Sequence, residues 1–317
     1  MSTDLHHEAV VVDLHCDTIL AVASGSRDIG TRSADGHIDL PRLREGGIDV
    51  QVFALFVHPR FSGEGYARVR FLLDAFDRLV AAYPDLVPVT TVEAMECAVG
   101  AGRIAVVLAI ENGTAIDGRL EHLERLYARG VRMMSLTWNA SNDLADGAAE
   151  ERYGGLTPLG RRVVARMQDL GMIIDLSHLS ERSFWDVLEA TDGPLIATHS
   201  NAAALTPHRR NLSDAQLQAL AARGGVVGVN FYPAFTGGAT LAAVLDHIDH
   251  LVAVMGEDHV ALGSDFDGFA QTVAGLEDAA RLPQLTAGLL QRGYRSTAIR
   301  KILGGNALQL FRRVWGR

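Results

Sequence analysis

The chain has 317 residues, 48% of them hydrophobic and 21% charged, an ordinary globular composition that excludes disordered or collagen-like structure. Lys and Arg number 29 against 38 Asp and Glu, giving a net charge of −9. That is the wrong sign for a surface that binds nucleic acid or an anionic membrane.

In chain order, eight short β-branched and apolar runs alternate with helix-compatible stretches: residues 10–18, 49–57, 104–112, 131–139, 171–179, 194–201, 225–232 and 259–266. Ile104-Ala105-Val106-Val107-Leu108-Ala109-Ile110 is apolar throughout, which suits a strand covered on both faces. Residues 67–83, 119–130, 159–171 and 214–224 carry apolar side chains at three- and four-residue spacing and read as amphipathic helices. Hydroxyl or carboxylate residues stand at the N-cap positions of Leu156-Thr157-Pro158 and Leu212-Ser213-Asp214, and Gly130, Gly171 and Gly224 stand where helices should stop. Eight such units predict a (β/α)8 barrel. An open doubly wound sheet is the alternative, but no Gly-x-Gly-x-x-Gly follows the first run and no phosphate-loop pattern occurs. No linker or low-complexity tract divides the chain, so residues 1–317 read as one catalytic domain. The loops 19–48 and 140–156 are long enough to fold over the barrel mouth as lids.

Two cysteines, Cys16 and Cys97, are too few for a disulfide framework. The start, Met1-Ser2-Thr3-Asp4-Leu5, has neither the basic head nor the apolar stretch of a secretory signal. No run reaches the roughly 18 apolar residues of a membrane span. A soluble, cytoplasmic protein is expected.

Barrel enzymes place reactive side chains at the C-terminal ends of strands, and here those ends are polar: His15-Cys16-Asp17, Glu111-Asn112, Ser177-His178, His199-Ser200 and Asp265-Phe266-Asp267. Three histidines and several carboxylates on one face suffice for two divalent metals. His15 and Asp17, two apart, share a strand face and can chelate one ion while Cys16 turns away to pack. His178 and His199, from adjacent strands, can hold a second, and Glu111 can bridge the pair. Water between two such metals loses its proton near neutral pH, which makes the expected enzyme a hydrolase. His6, His7, His37, His58, His122, His208, His247, His250 and His259 lie off these ends and read as surface or structural residues.

The segments Val12-Asp13-Leu14-His15-Cys16-Asp17-Thr18, His37-Ile38-Asp39-Leu40-Pro41-Arg42-Leu43, Ala109-Ile110-Glu111-Asn112-Gly113, Ile174-Asp175-Leu176-Ser177-His178, Thr198-His199-Ser200-Asn201, Arg209-Arg210-Asn211, Val229-Asn230-Phe231-Tyr232, Gly263-Ser264-Asp265-Phe266-Asp267-Gly268 and Gly304-Gly305-Asn306 occur in family order. Together they resemble the renal-type membrane dipeptidase family, zinc dipeptidases of the amidohydrolase superfamily and peptidase family M19. The resemblance implies two Zn2+ ions, one on His15 and Asp17, the other on His178 and His199, with Glu111 bridging. It implies that Asp265 is the catalytic acid/base that shuttles the proton to the leaving amine and also contacts substrate, and that Arg210 binds the substrate carboxylate. The donor set accepts manganese, cobalt or iron as well as zinc. Asp267 fits a loop-ordering role equally well and is left unassigned.

Where the family's animal members place a histidine that touches substrate and developing oxyanion, this chain has Trp138, an indole with one donor and no acceptor. Trp138 is therefore a substrate-binding candidate that donates its N–H or merely walls the pocket. The signal, lipid-anchor tail and cysteines of the membrane-bound relatives are absent, as in a soluble bacterial-type member, and a homodimer is expected because relatives commonly pair. The expected reaction is hydrolysis of dipeptides, L,L and also L,D, by a metal-bridging hydroxide. Trp138 motivates a second reading, a binuclear amidohydrolase acting on another small amide, lactam or lactone. A catalytically silent binding barrel is the third, and it would have no use for Asp265.

Overall fold

The computed structural model describes residues 2–316. Among the described residues nine parallel strands form one sheet: β1 Val11–Cys16, β2 Ile48–Phe56, β3 Leu86–Pro88, β4 Ile104–Glu111, β5 Val131–Ser135, β6 Ile173–Asp175, β7 Ile196–Ala197, β8 Val226–Val229 and β9 Val260–Leu262. Pairing runs β2-β1-β9-β8-β7-β6-β5-β4, and β2 pairs again with β4 from Val50↔Ala105 to Phe56↔Glu111, which closes an eight-stranded barrel. The architecture is the (β/α)8 barrel expected from the sequence, and each of the eight apolar runs overlaps one barrel strand, β2 starting one residue before its run.

The ninth strand, β3, lies outside the ring. It pairs with the first residues of β4, while β5 pairs with that strand's second half, so one long strand serves two neighbours on the same edge. Strand β3 and the following helix Val92–Gly100 were not legible as elements, because a three-residue strand carries no periodicity.

Helix boundaries follow local chemistry. Thr157 caps Pro158–Leu170 by accepting the Gly160 N–H, and Ser213 forms a reciprocal capping box with Gln216 at the start of Asp214–Ala222. Gly171 ends the former helix at φ 69°, a left-handed conformation that a side chain would strain. The segment 19–48 is more ordered than an open loop, holding the helices Ile19–Ser24 and Leu40–Glu45, the second capped by Asp39.

One residue set fills the barrel: Val12, Leu14, Val50, Val52, Ala105, Val107, Ala109, Met133, Ile173, Ile196, Val226 and Ala261, with contributions from all eight strands. Leu310 and Phe311 of the C-terminal helix Asn306–Trp315 join this cluster and plug its lower end. Asn306 ties that helix to the barrel by donating to Glu257 O and Val260 O, each at 2.8 Å. The outer cluster packs the surrounding helices against the strands and takes in Cys16. Both cysteines are free, Cys16 buried and Cys97 exposed. Among the described residues no helix is long and apolar enough to cross a membrane.

Candidate active site

Strict alternation along β1 would put residue 16, not residue 15, on the inner face with Val12 and Leu14. The β1–β2 pairing slips between Asp13 and Cys16, and this irregularity resets the phase. Cys16 joins the outer cluster, and His15 turns to meet Glu111, the last residue of β4. Asp17 follows the strand end, His178 lies three residues beyond β6, His199 two beyond β7 and Asp265 three beyond β9.

All five proposed metal ligands and Asp265 converge. His15 Nε2 is 3.7 Å from Asp17 Oδ2, 3.7 Å from Glu111 Oε2 and 3.9 Å from Asp265 Oδ1. His178 Nε2 lies 2.9 Å from Glu111 Oε1 and 2.9 Å from His199 Nε2. The two oxygens of Glu111 thus face opposite halves of the cluster. Two overlapping trios, His15–Glu111–His199 and His15–Asp17–Asp265, each present ligand atoms within 4.8 Å of one another. The His15 and His199 rings are 3.8 Å apart.

The hydrogen bonds behind the imidazoles bear on what fits here. His178 Nδ1 lies 2.9 Å from Asn139 Oδ1, and His199 Nδ1 lies 2.8 Å from Thr198 Oγ1, whose own proton goes to Asp175 Oδ2. Both Nδ1 atoms therefore carry the proton, and both Nε2 lone pairs face each other with no proton between them. Among the described residues His15 Nε2 is buried with no hydrogen-bond partner. The two neutral imidazoles of His178 and His199 beside the His15 ring, ringed by carboxylates, fit divalent cations with nitrogen and oxygen ligands.

Burial, with Arg210 and His15 adding, holds the His178 and His199 imidazoles well below their usual range, so both are neutral. In the metal-free site burial also opposes charge on His15, but Asp17, Glu111 and Asp265 outweigh it and lift the group to about 10, so a cation held there would take the place of that proton. Glu111 is pushed well up by burial and the neighbouring Asp17, and Asp265 is lifted by burial to about 6. The backbone is stressed here too: Asn112, His178, Asp265 and Asp267 all have positive φ, between 63° and 82°.

Above the cluster opens a cavity of about 250 Å3, walled by Leu20, Phe56, Trp138, Tyr232 and Phe235 and floored by Asp17, Glu111, His178 and Asp265. Trp138 stands in this wall, its ring 5.3 Å from Phe56 and 6.1 Å from His178. Asn230 Nδ2 donates to Asp265 Oδ2 at 2.8 Å. Gly268 is required there, since a Cβ would fall 2.5 Å from both Asp17 Oδ2 and Asp265 Oδ1.

Arg210 is buried while Arg209 beside it is exposed. Its guanidinium donates to His199 O at 3.1 Å and lies 5.5 Å from the Phe235 ring, and its Nε has no partner among the described residues. It lines a neighbouring cavity of about 280 Å3 that shares His178 with the first.

Several residues escaped the sequence reading. Asn139, Asp175 and Thr198 adjoin ligands but carry no spacing signal of their own. His37, set aside as structural, pairs with Asp267: the Asp267 N–H donates to His37 Nδ1 at 2.9 Å and the His37 N–H returns to Asp267 Oδ1 at 2.7 Å. Asp267 also forms an ion pair with Arg27 and accepts from Thr18 Oγ1 at 2.7 Å, so it orders the 19–48 segment over the site.

The family model of the membrane dipeptidases, peptidase family M19, matches residues 1–315. A dipeptidase of Aspergillus oryzae is 38% identical over 87% of this chain and 69% of its own length. An uncharacterized dipeptidase of Schizosaccharomyces pombe is 36% identical over 88% and 72%. Among solved structures, an M19 metallopeptidase, dipeptidase AC, is 32% identical with a TM-score of 0.91 over 98% of this chain and 99% of its own. A metallopeptidase from Rhodobacter sphaeroides, liganded with a phosphinate mimic of the dipeptide L-Ala-D-Ala, is 31% identical with a TM-score of 0.89 over 97% and 99%. The barrel, the polar strand ends and these matches along nearly the whole chain lead to one conclusion: the chain belongs to the membrane dipeptidase family, peptidase family M19.

Proposed function

We propose that this M19 dipeptidase cleaves the peptide bond of L,L and L,D dipeptides with two divalent metal ions, zinc first among them. The observation that carries the reading is the pair of imidazole nitrogens, His178 Nε2 and His199 Nε2, 2.9 Å apart beside Glu111. His15 and Asp17 would hold one ion and His178 and His199 the other, with Glu111 spanning them. Bound there, the ions supply Lewis acidity that polarises the scissile carbonyl and makes water a nucleophile near neutral pH.

The chain's own residues do the rest. Asp265, oriented by Asn230, takes the proton of the attacking water and delivers it to the leaving amine. Arg210, with an unpartnered Nε in the neighbouring cavity that meets the first at His178, receives the substrate carboxylate across that junction, the two oxygens matching its planar fork. Trp138 and Phe56 wall the cavity and exclude water from the reacting bond. A volume of about 250 Å3 is small against the roughly 300–1,000 Å3 of drug-sized sites and suits two residues rather than a longer peptide. The dipeptide mimic bound by the Rhodobacter relative supports the inclusion of L,D substrates.

The test is hydrolysis of a panel of L,L and L,D dipeptides by protein purified without chelator, with bound metal quantified on the same sample. Turnover with about two metals per chain is expected. Two metals without turnover would redirect the substrate to another small amide, lactam or lactone and attention to Trp138. Turnover undiminished by complete metal removal would overturn the metal centre.

A further inference from the structure

His199 is held from behind by a relay. Its Nδ1 meets Thr198 Oγ1 at 2.8 Å, and the same hydroxyl lies 2.6 Å from Asp175 Oδ2. A hydroxyl has one proton to give, and the buried carboxylate, an acceptor only, takes it. Thr198 Oγ1 is then left to accept, so His199 carries its proton on Nδ1 and presents Nε2 as a lone pair. The direction of the whole chain is set by Asp175.

The relay is firmly anchored. Asp175 Oδ1 accepts the N–H groups of Ser177 at 2.9 Å and Thr198 at 3.0 Å. The Thr198 carbonyl is wedged against Gly228 and Gly263, where a Cβ would fall 2.0 Å and 1.7 Å from its oxygen. Ser177 Oγ accepts the His199 N–H at 3.2 Å. Without the relay the other tautomer becomes available, in which His199 donates from Nε2 to His178 Nε2 across 2.9 Å. The metal-free site would then close on itself, and an incoming cation would first have to displace that proton.

We infer that Asp175 and Thr198 are positioning residues that lock His199 into its Nδ1–H tautomer and keep the imidazole pair open for metal. The inference rests on the metal centre proposed above, and its test reads tautomer and metal affinity rather than peptide turnover. Long-range proton–nitrogen correlation spectra of the metal-free wild-type protein with isotope-labelled histidine, assigned with His199→Asn, should show His199 protonated on Nδ1. Protonation on Nε2 would overturn the inference without any relay variant having to fold. Chelator competition with Zn2+ should show one ion bound about 10- to 100-fold more weakly in Thr198→Val and nearly as in wild type in Thr198→Ser. A Val variant that melts earlier in its metal-free form yet binds both ions as tightly would make Thr198 merely structural, and would also overturn it. Failure of the dipeptide reading looks different: intact tautomer and metal binding in the wild type, with no peptide cleaved.

Discussion

On the β1–β9 side of the site, Asp13 accepts both the Ser264 N–H at 2.8 Å and the Ser264 hydroxyl at 2.7 Å. On the β6–β7 side, Asp175 accepts the Thr198 N–H at 3.0 Å and the Thr198 hydroxyl at 2.6 Å. In each, a buried strand aspartate clamps a hydroxyl residue of the neighbouring strand end, and the next residue, Asp265 or His199, enters the site. The frames match but the electrostatics diverge. The first side crowds carboxylates around His15 and lifts it to about 10, whereas the second presents two imidazoles held neutral by burial. The clamp fixes geometry on both sides, and the residue it delivers is the proposed proton carrier on one and a proposed metal ligand on the other.

The largest expected effects break this division of labour. His199→Ala should abolish turnover and reduce bound metal to about one per chain, because it removes a proposed ligand. Asp265→Asn should lower kcat by about 10²- to 10⁴-fold with metal content unchanged, because it removes the proposed proton carrier. Metal analysis beside steady-state kinetics separates the two outcomes, and equal metal loss in both variants would erase the distinction.

Gly268→Ala reaches only the carboxylate side, since its methyl group would press on Asp17 and Asp265. A fall in kcat of about 100-fold, the scale of a 1 Å misplacement, is expected with little change in melting temperature. Ser264→Ala strips one hydrogen bond from Asp13 Oδ2 and leaves it the Gln51 amide at 3.0 Å. Denaturant titration should register a loss of about 1–3 kcal/mol, and no loss would mean that the two clamps are not equivalent.

The smallest effect lies outside the site and serves as a control. His247 is buried and its Nδ1 accepts the Ala202 N–H at 3.2 Å, so protonation is resisted and its pKa falls to about 4. A group depressed in the folded state from an unfolded value near 6.5 contributes stability above that value and loses it as pH falls toward 4. His247→Gln should therefore flatten the stability profile between those limits while leaving the kinetics at neutral pH unchanged. A pH-stability curve identical to wild type would refute this.

Much of the fold was legible because strand and helix periodicities are local properties. The run 104–110 is apolar throughout because β4 is covered on both faces, and Thr157 and Ser213 act as caps by bonding backbone three residues away. The identity of the strand-end residues was legible for the same reason, since a polar residue closing an apolar run is visible without tertiary knowledge. Strand β3 was missed because only its pairing with β4 defines it.

The amino-acid sequence alone determined the barrel, the order of its strands along the chain and the chemical identity of the groups at their ends, because each is written in spacing and residue type. Tertiary structure alone decided how those groups meet. His15 reaches the cluster only because the β1–β2 pairing slips by a residue, Asp267 orders a segment some 230 residues earlier in the chain, and Thr198 can hold His199 only because Gly228 and Gly263 leave space for its carbonyl. Register, closure and the direction of a buried hydrogen bond depend on neighbours that are distant in sequence, and no local pattern encodes them.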